Sequence, residues 1–131
     1  MCKRTRINPS SESETYVSIK RHQPGKLFSA AVEHGGIVYV AGQVAEDMTQ
    51  GAKGQTEQVL KKIDAILAAA GTNKSRILSA NVWVTDIRNR DEMNSAWTAW
   101  VDPANLPARA TVEAKLADPR MLVEIMVTCA K

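Results

Sequence analysis

The sequence predicts an α+β domain, one mixed β-sheet of about six strands with two helices packed on one of its faces. Three observations carry this. Residues 55–70 and 91–101 place apolar side chains at helical spacing. The other regular runs are rich in β-branched residues and are bounded by glycine or proline. The 131 residues, 44% hydrophobic and 24% charged, suit one globular domain with its own core and leave little room for a second.

In order, residues 1–14 are rich in Ser, Glu and basic groups without periodicity and read as a polar tail, so the domain is expected over 15–131. Residues 15–19 alternate enough for a first strand, and Pro24-Gly25 marks a turn over 22–26. Strands over 27–33 and 37–42 flank His34-Gly35-Gly36, whose glycines supply the positive φ of a tight hairpin. Residues 43–54 are polar and glycine-punctuated, a loop. Over 55–70, Val59, Leu60, Ile63, Ile66, Leu67 and Ala70 form one apolar stripe, with Lys61, Lys62 and Asp64 on the other side. Gly71 sits where a helix commonly ends on glycine. A strand containing Trp83 follows over 77–85. The second helix carries Met93, Trp97, Trp100 and Val101 on one face, the two tryptophans serving core or subunit packing, and Pro103 bars its extension. Strands over 110–116 and 122–130, turned at Pro119, complete the chain.

Two short helices cover one face of such a sheet. Val38, Val40, Val82, Val84, Val112, Val123, Ile125 and Val127 supply apolar groups to a surface whose alternate residues point opposite ways. The uncovered face is therefore expected to bury itself against further copies of the chain.

Composition excludes several classes. No apolar run approaches the ~20 residues of a membrane span, and no apolar stretch follows the basic start, so neither a membrane protein nor a secreted one is expected. Net charge is +3, with no basic run interleaved with aromatics that would line a nucleic-acid groove. Cys2 and Cys129 form no CxxC or zinc spacing, and His22 and His34 stand far apart, so no metal site is predicted. Reduced cytoplasmic thiols are the simpler reading of the cysteines, with a bridge between them left open.

Three segments can carry chemistry. Arg109 stands two residues after Pro107 at the entry to a strand, a place to fix a guanidinium fork that grips a carboxylate through two parallel bonds; taken alone, a surface ion pair is the simpler reading. Glu124 is a lone acid in an apolar strand, either turned outward by the pleat or set in a cleft as a general acid/base. Gly42 ends a strand where a ligand can approach the backbone, or merely where the strand stops.

Together these segments resemble the RidA/YjgF family of reactive-intermediate (enamine/imine) deaminases. The likeness runs from about Tyr16 to Ala130. It rests on Val40-Ala41-Gly42-Gln43, Gly54-Gln55-Thr56, Ala69-Ala70-Gly71 and Val82-Trp83-Val84-Thr85-Asp86. Above all it rests on Leu106-Pro107-Ala108-Arg109-Ala110-Thr111-Val112-Glu113 followed by Val123-Glu124-Ile125. The resemblance implies a chorismate-mutase-like fold, a homotrimer with ligand clefts between subunits, and cofactor-free hydrolysis of small 2-imino carboxylates to 2-oxo acids and ammonia. It assigns carboxylate binding to Arg109 and water positioning to Glu124, on neighbouring strands facing one hollow. It places Phe28, Ser29, Ala41, Gly42, Ala110 and Thr111 around the substrate. Phe28 stands where the family motif usually has Tyr, Ala41 where Ser is frequent, and Thr111 where Cys is common. With these hydroxyls partly gone, the alternative expectation is a non-catalytic protein binding small carboxylate metabolites in the same cleft. Ribonuclease activity, ascribed to some members, finds little support in two scattered histidines.

Overall fold

A computed structural model of the chain describes residues 18–131. Six strands form one sheet: β1 (Lys20–Pro24), β2 (Ser29–His34), β3 (Ile37–Val40), β4 (Ile77–Val84), β5 (Ala108–Glu113) and β6 (Val123–Ala130). Their order across the sheet is β1-β2-β3-β6-β4-β5. Every neighbouring pair is antiparallel except β4 and β5, which run parallel. Helix α1 (Ala52–Ala69) connects β3 to β4, and helix α2 (Arg90–Trp100) connects β4 to β5. The core lies between both helices and one face of the sheet.

The α1 stripe is buried as its spacing predicts, with Val59, Ile63 and Leu67 fully inside. The helix ends on Gly71 at φ +85°, and Thr72 N–H reaches back to the Leu67 carbonyl at 2.9 Å. It begins three residues earlier than predicted, directly after Gly51. Gln55, fully buried in its first turn, donates to the Gln50 and Arg120 carbonyls (3.0 Å each) and accepts from Leu122 N–H (2.9 Å). That side chain ties the start of α1 to the turn that launches β6.

The first strand differs from expectation. Residues 15–17 of the expected strand, with the tail and Cys2, lie outside the described residues, and Ser18 and Ile19 are not in a strand. The strand instead runs through His22 to Pro24, where a turn was predicted. β1 is an edge strand, so the missing N–H of Pro24 at its end costs no ladder bond. The turn follows, closed by Gly25 N–H to the Phe28 carbonyl at 2.9 Å. Leu27 and Phe28 consequently precede β2, and β5 begins two residues earlier than predicted, taking in Arg109.

The open face is also not the one the valine pattern suggests. Seven of those eight residues are buried beneath the helices, and only Val112 points away, at 48% exposure. The open face carries Tyr39, Val112 and Met126, all exposed, with Trp83 and Asn81. Among the described residues no helix is long and apolar enough to cross a membrane.

Candidate functional site

Arg109 is the second residue of β5 and lies level with buried Ala80 on β4, so its side chain leaves the sheet on the helix-covered side. There it meets α2. One guanidinium nitrogen donates to Asn94 Oδ1 at 2.7 Å, the other approaches Met93 Sδ at 3.9 Å, and the plane lies over the Trp97 ring, 5.0 Å from its centre. All three partners are uncharged. No carboxylate lies within salt-bridge distance of Arg109 among the described residues, whereas Arg88 and Arg120 hold Asp86 and Asp118 at 2.7 and 2.9 Å. Partial burial pushes the Arg109 pKa down, but a guanidinium starts so high that it stays charged. Two residues on and on the same side, Thr111 holds a buried hydroxyl without a hydrogen-bond partner. The strand thus presents an uncompensated cation beside an unused hydroxyl.

Glu124 is the second residue of β6. It is level with Trp83, whose strand neighbours Val82 and Val84 are buried, so it leaves the sheet on the open side. Its carboxylate folds over Gly42. A Cβ built on Gly42 would stand 3.0 Å from Glu124 Cδ and closer still to Oε2, so a hydrogen is all that fits there without moving the acid. The contact is held in register by Gln43, which exchanges bonds with Ile125 (2.9 and 3.1 Å). Beyond Gly42 a cleft of ≈ 530 Å³ opens between the β1–β2 turn and the chain leaving β3, lined among others by Leu27, Phe28, Ala30, Gln43, Val44 and Lys62. Phe28 is 66% exposed at its mouth. Ser29 is half-buried at the start of β2, and half-buried Ala41 bonds through its N–H to the Ala30 carbonyl at 2.9 Å.

The expectation that Arg109 and Glu124 stand on neighbouring strands and face one hollow is not met within a single chain. β4 separates their strands, and the two side chains leave opposite faces. The reason is connectivity. A chain running from β4 through α2 returns parallel to β4, which seats β5 at the edge, while β6 fills the gap between β3 and β4. Each side chain has its own company: Arg109 with Asn94, Trp97 and Thr111; Glu124 with Gly42, which itself also lines the Phe28 cleft. Ala110, exposed on the edge strand between Arg109 and Thr111, points to the other face from both. Asn94 escapes a sequence reading, and Met93 reads there only as part of the apolar face of α2. The signal that could have found them is their place on the sheet-facing border of α2, beside a strand carrying an unpaired arginine.

The structure's architecture is that of a described family. The family profile titled endoribonuclease L-PSP matches residues 18–131. A RutC family protein of Haemophilus ducreyi is 48% identical over 103 residues, covering 79% of this chain and 88% of that protein. The RutC family protein YoaB of Escherichia coli is 40% identical over 114 residues, covering 87% and 99%. Among solved structures, a YjgF family member from Neisseria meningitidis superposes with a TM-score of 0.84 at 38% identity, covering 88% of this chain and 97% of that one. The chain belongs to the YjgF/RutC family.

Proposed function

We propose that the protein hydrolyses small 2-imino carboxylates, the products of enamines such as 2-aminoacrylate, to 2-oxo acids and ammonia. It does so as a cytoplasmic homotrimer, each ligand cleft combining Arg109 of one copy with Glu124 and Gly42 of another. The observation that carries this reading is the company of Arg109: a half-buried guanidinium held by Asn94 and Trp97, with its charge unanswered, is built to receive an anion from outside the chain. The exposed apolar groups of the open face, Tyr39, Val112 and Met126, supply a surface for association.

The chemistry asks little more of the protein. An iminium carbon is already electrophilic, so the work is to fix the substrate, present a water and move protons. Arg109 grips the carboxylate. Glu124 takes a proton from a water whose oxygen adds to the C=N carbon, and the π pair passes to nitrogen. Glu124 then returns the proton to that nitrogen. The C–N bond breaks as the hydroxyl oxygen's lone pair forms the carbonyl, the hydroxyl proton passes to Glu124, and the departing ammonia takes that proton away as ammonium. Neither a metal nor an organic cofactor has a step to perform. The hydroxyl of Thr111 and the open edge of β5 at Ala110 complete the anion site.

The test is to generate 2-aminoacrylate with a lyase and follow pyruvate and ammonia. The protein accelerates release over buffer, and Arg109→Ala abolishes the acceleration. An unaccelerated reaction, or full activity in the variant, refutes the reading. The apolar Phe28 at the cleft mouth favours a second reading, a non-catalytic binder of carboxylate metabolites. Calorimetric binding of 2-oxo acids without turnover of any imine distinguishes it.

A further inference from the structure

We propose that Asp64 and Trp100, on the outer side of the helix layer, are positioning residues for the Arg109 guanidinium and act on it through the Trp97 ring. This rests on the reading above of Arg109 as the group that grips a carboxylate. Helical spacing alone gives the two tryptophans a packing role; the contacts around Trp100 assign it more.

Arg109 lies on an indole whose own orientation has to be fixed. Its guanidinium carbon stands 5.0 Å from the centre of the Trp97 ring, and the attraction of a cation for an aromatic ring requires that it stand over the face. Trp100, three residues on along α2, packs against Trp97 with the ring centres 5.6 Å apart and the planes tilted by 52°. If Trp100 turns, Trp97 is free to turn, and the surface under the guanidinium moves with it.

Close packing does not hold Trp100. It is the last residue of α2, half-buried, and it borders an open groove of ≈ 260 Å³ between α1 and α2. Polar contacts hold it instead. Its indole Nε1–H donates to Asp64 Oδ2 at 2.9 Å, and the Lys74 ammonium stands 5.2 Å from the centre of its ring. Asp64 comes from α1 and Lys74 from the short turn that leads into β4. Water would satisfy a half-exposed indole N–H about as well, so the bond to Asp64 adds little net energy. What it adds is direction: it selects one ring orientation among those a side chain at a helix end would sample.

The sign of the effect separates positioning from charge. Taking a surface acid away strengthens anion binding at a nearby arginine if the acid acts by its field. Loss of alignment weakens it, by about three- to fivefold, a fraction of one cation–ring contact.

The experiment titrates pyruvate into the full chain by calorimetry, with wild type, Asp64→Ala, Asp64→Asn, Trp100→Phe and the Asp64→Ala/Trp100→Phe double variant. The dissociation constant is read because molecules that fail to fold drop out of it, and Asp64→Ala, an exposed helical position, is the variant least disposed to unfold. Asp64→Ala and Trp100→Phe each weaken binding about three- to fivefold, and the double variant is no weaker than either, since both remove one interaction. Asp64→Asn, which keeps an oxygen to accept the indole N–H, binds at least as tightly as wild type. The circular-dichroism couplet of the paired indoles shrinks in Asp64→Ala and persists in Asp64→Asn. Unchanged or tighter binding in Asp64→Ala, additive losses in the double variant, or a loss in Asp64→Asn equal to that in Asp64→Ala overturns the inference and leaves the reading of Arg109 standing. If pyruvate binds but no imine is turned over, the hydrolytic reading fails and the same dissociation constants still decide the positioning role. A wild type that binds no 2-oxo acid overturns both.

Discussion

Two inactive variants, Arg109→Ala and Glu124→Ala, should restore each other when they assemble together. The expectation comes from the sheet. Arg109 is level with Ala80 and Val127, whereas Glu124 is level with Trp83 and Val112, three residues further along. Three residues at ~3.3 Å and two strand spacings at ~4.8 Å put the two backbones roughly 14 Å apart, on opposite faces of an intervening strand. No molecule as small as a 2-imino carboxylate bridges that within one chain. If each cleft of a trimer takes its arginine from one copy and its acid from another, a random equal mixture completes a cleft when both donors are intact. Each has a chance of one half, so one quarter of all clefts are complete; purification through both tags keeps only mixed trimers, each with one complete cleft of three, so about one third of wild-type activity returns. The assay is ammonia release by differently tagged variants co-expressed and purified through both tags, compared with each parent alone. Activity no greater than the parents' sum would refute the trans-acting arrangement, since clefts built within one chain lack either Arg109 or Glu124 in every mixed trimer.

Asn94→Asp gives Arg109 an internal carboxylate that competes with the substrate's; product affinity by calorimetry falls about tenfold or more, while stability in a denaturant melt moves by less than ~1 kcal/mol because the pair is partly exposed. Gly42→Ala forces the flexible end of Glu124 aside without touching the core, so kcat falls on the order of 100-fold with a melting temperature within a few degrees of wild type. Thr111→Val replaces a buried, unpartnered hydroxyl with an isosteric methyl and stabilises the free protein by about 1 kcal/mol in a denaturant melt, whereas destabilisation would mean the hydroxyl has a partner. Hydrogen bonds from Lys131 and His22 hold the Glu33 carboxyl below its ordinary 4.5. A depressed acid stabilises the fold above its unfolded pKa and loses that contribution as pH falls through the folded one. The melting-temperature gap between wild type and Glu33→Gln is therefore widest at neutral pH and closes below about pH 4.

What a sequence can carry here is what depends on period. The alternation of Val123, Ile125 and Val127 with Glu124 and Met126 places the acid on the face opposite the core, and the α1 stripe names its buried residues. Signals that depend on context mislead. Pro24 reads as a turn because its neighbours give no hint that β1 is an edge, where a proline is tolerated. Eight apolar strand residues do not reveal which of them share a face until register is known, and seven of them share the same one. The neighbourhood of Arg109 and Glu124 fails for a related reason. Short separation between β5 and β6 suggests a hairpin, but the helix between β4 and β5 fixes a parallel pair, and order across a sheet is a non-local property.

The choice of partners around Arg109 supports the proposal that it receives an anion. Had α2 offered a carboxylate at the position of Asn94, the guanidinium would be fixed equally well, as Asp86 fixes Arg88 and Asp118 fixes Arg120. Those pairs leave no net charge to spend on a ligand, and in both the aspartate is held near a pKa of about 2, far too acidic to release its arginine near neutral pH. Asn94 and the Trp97 face orient the fork while leaving its charge intact, and partial burial deprives it of some of the water that would otherwise answer that charge. An incoming carboxylate then exchanges its own hydration for a bidentate partner already held in place, so little side-chain entropy is lost on binding. The same site with lysine keeps a positive charge but has neither the plane to lie on Trp97 nor the parallel donors on two nitrogens, so Arg109→Lys should bind product at least tenfold more weakly in calorimetry, and wild-type affinity in that variant would show that charge alone suffices.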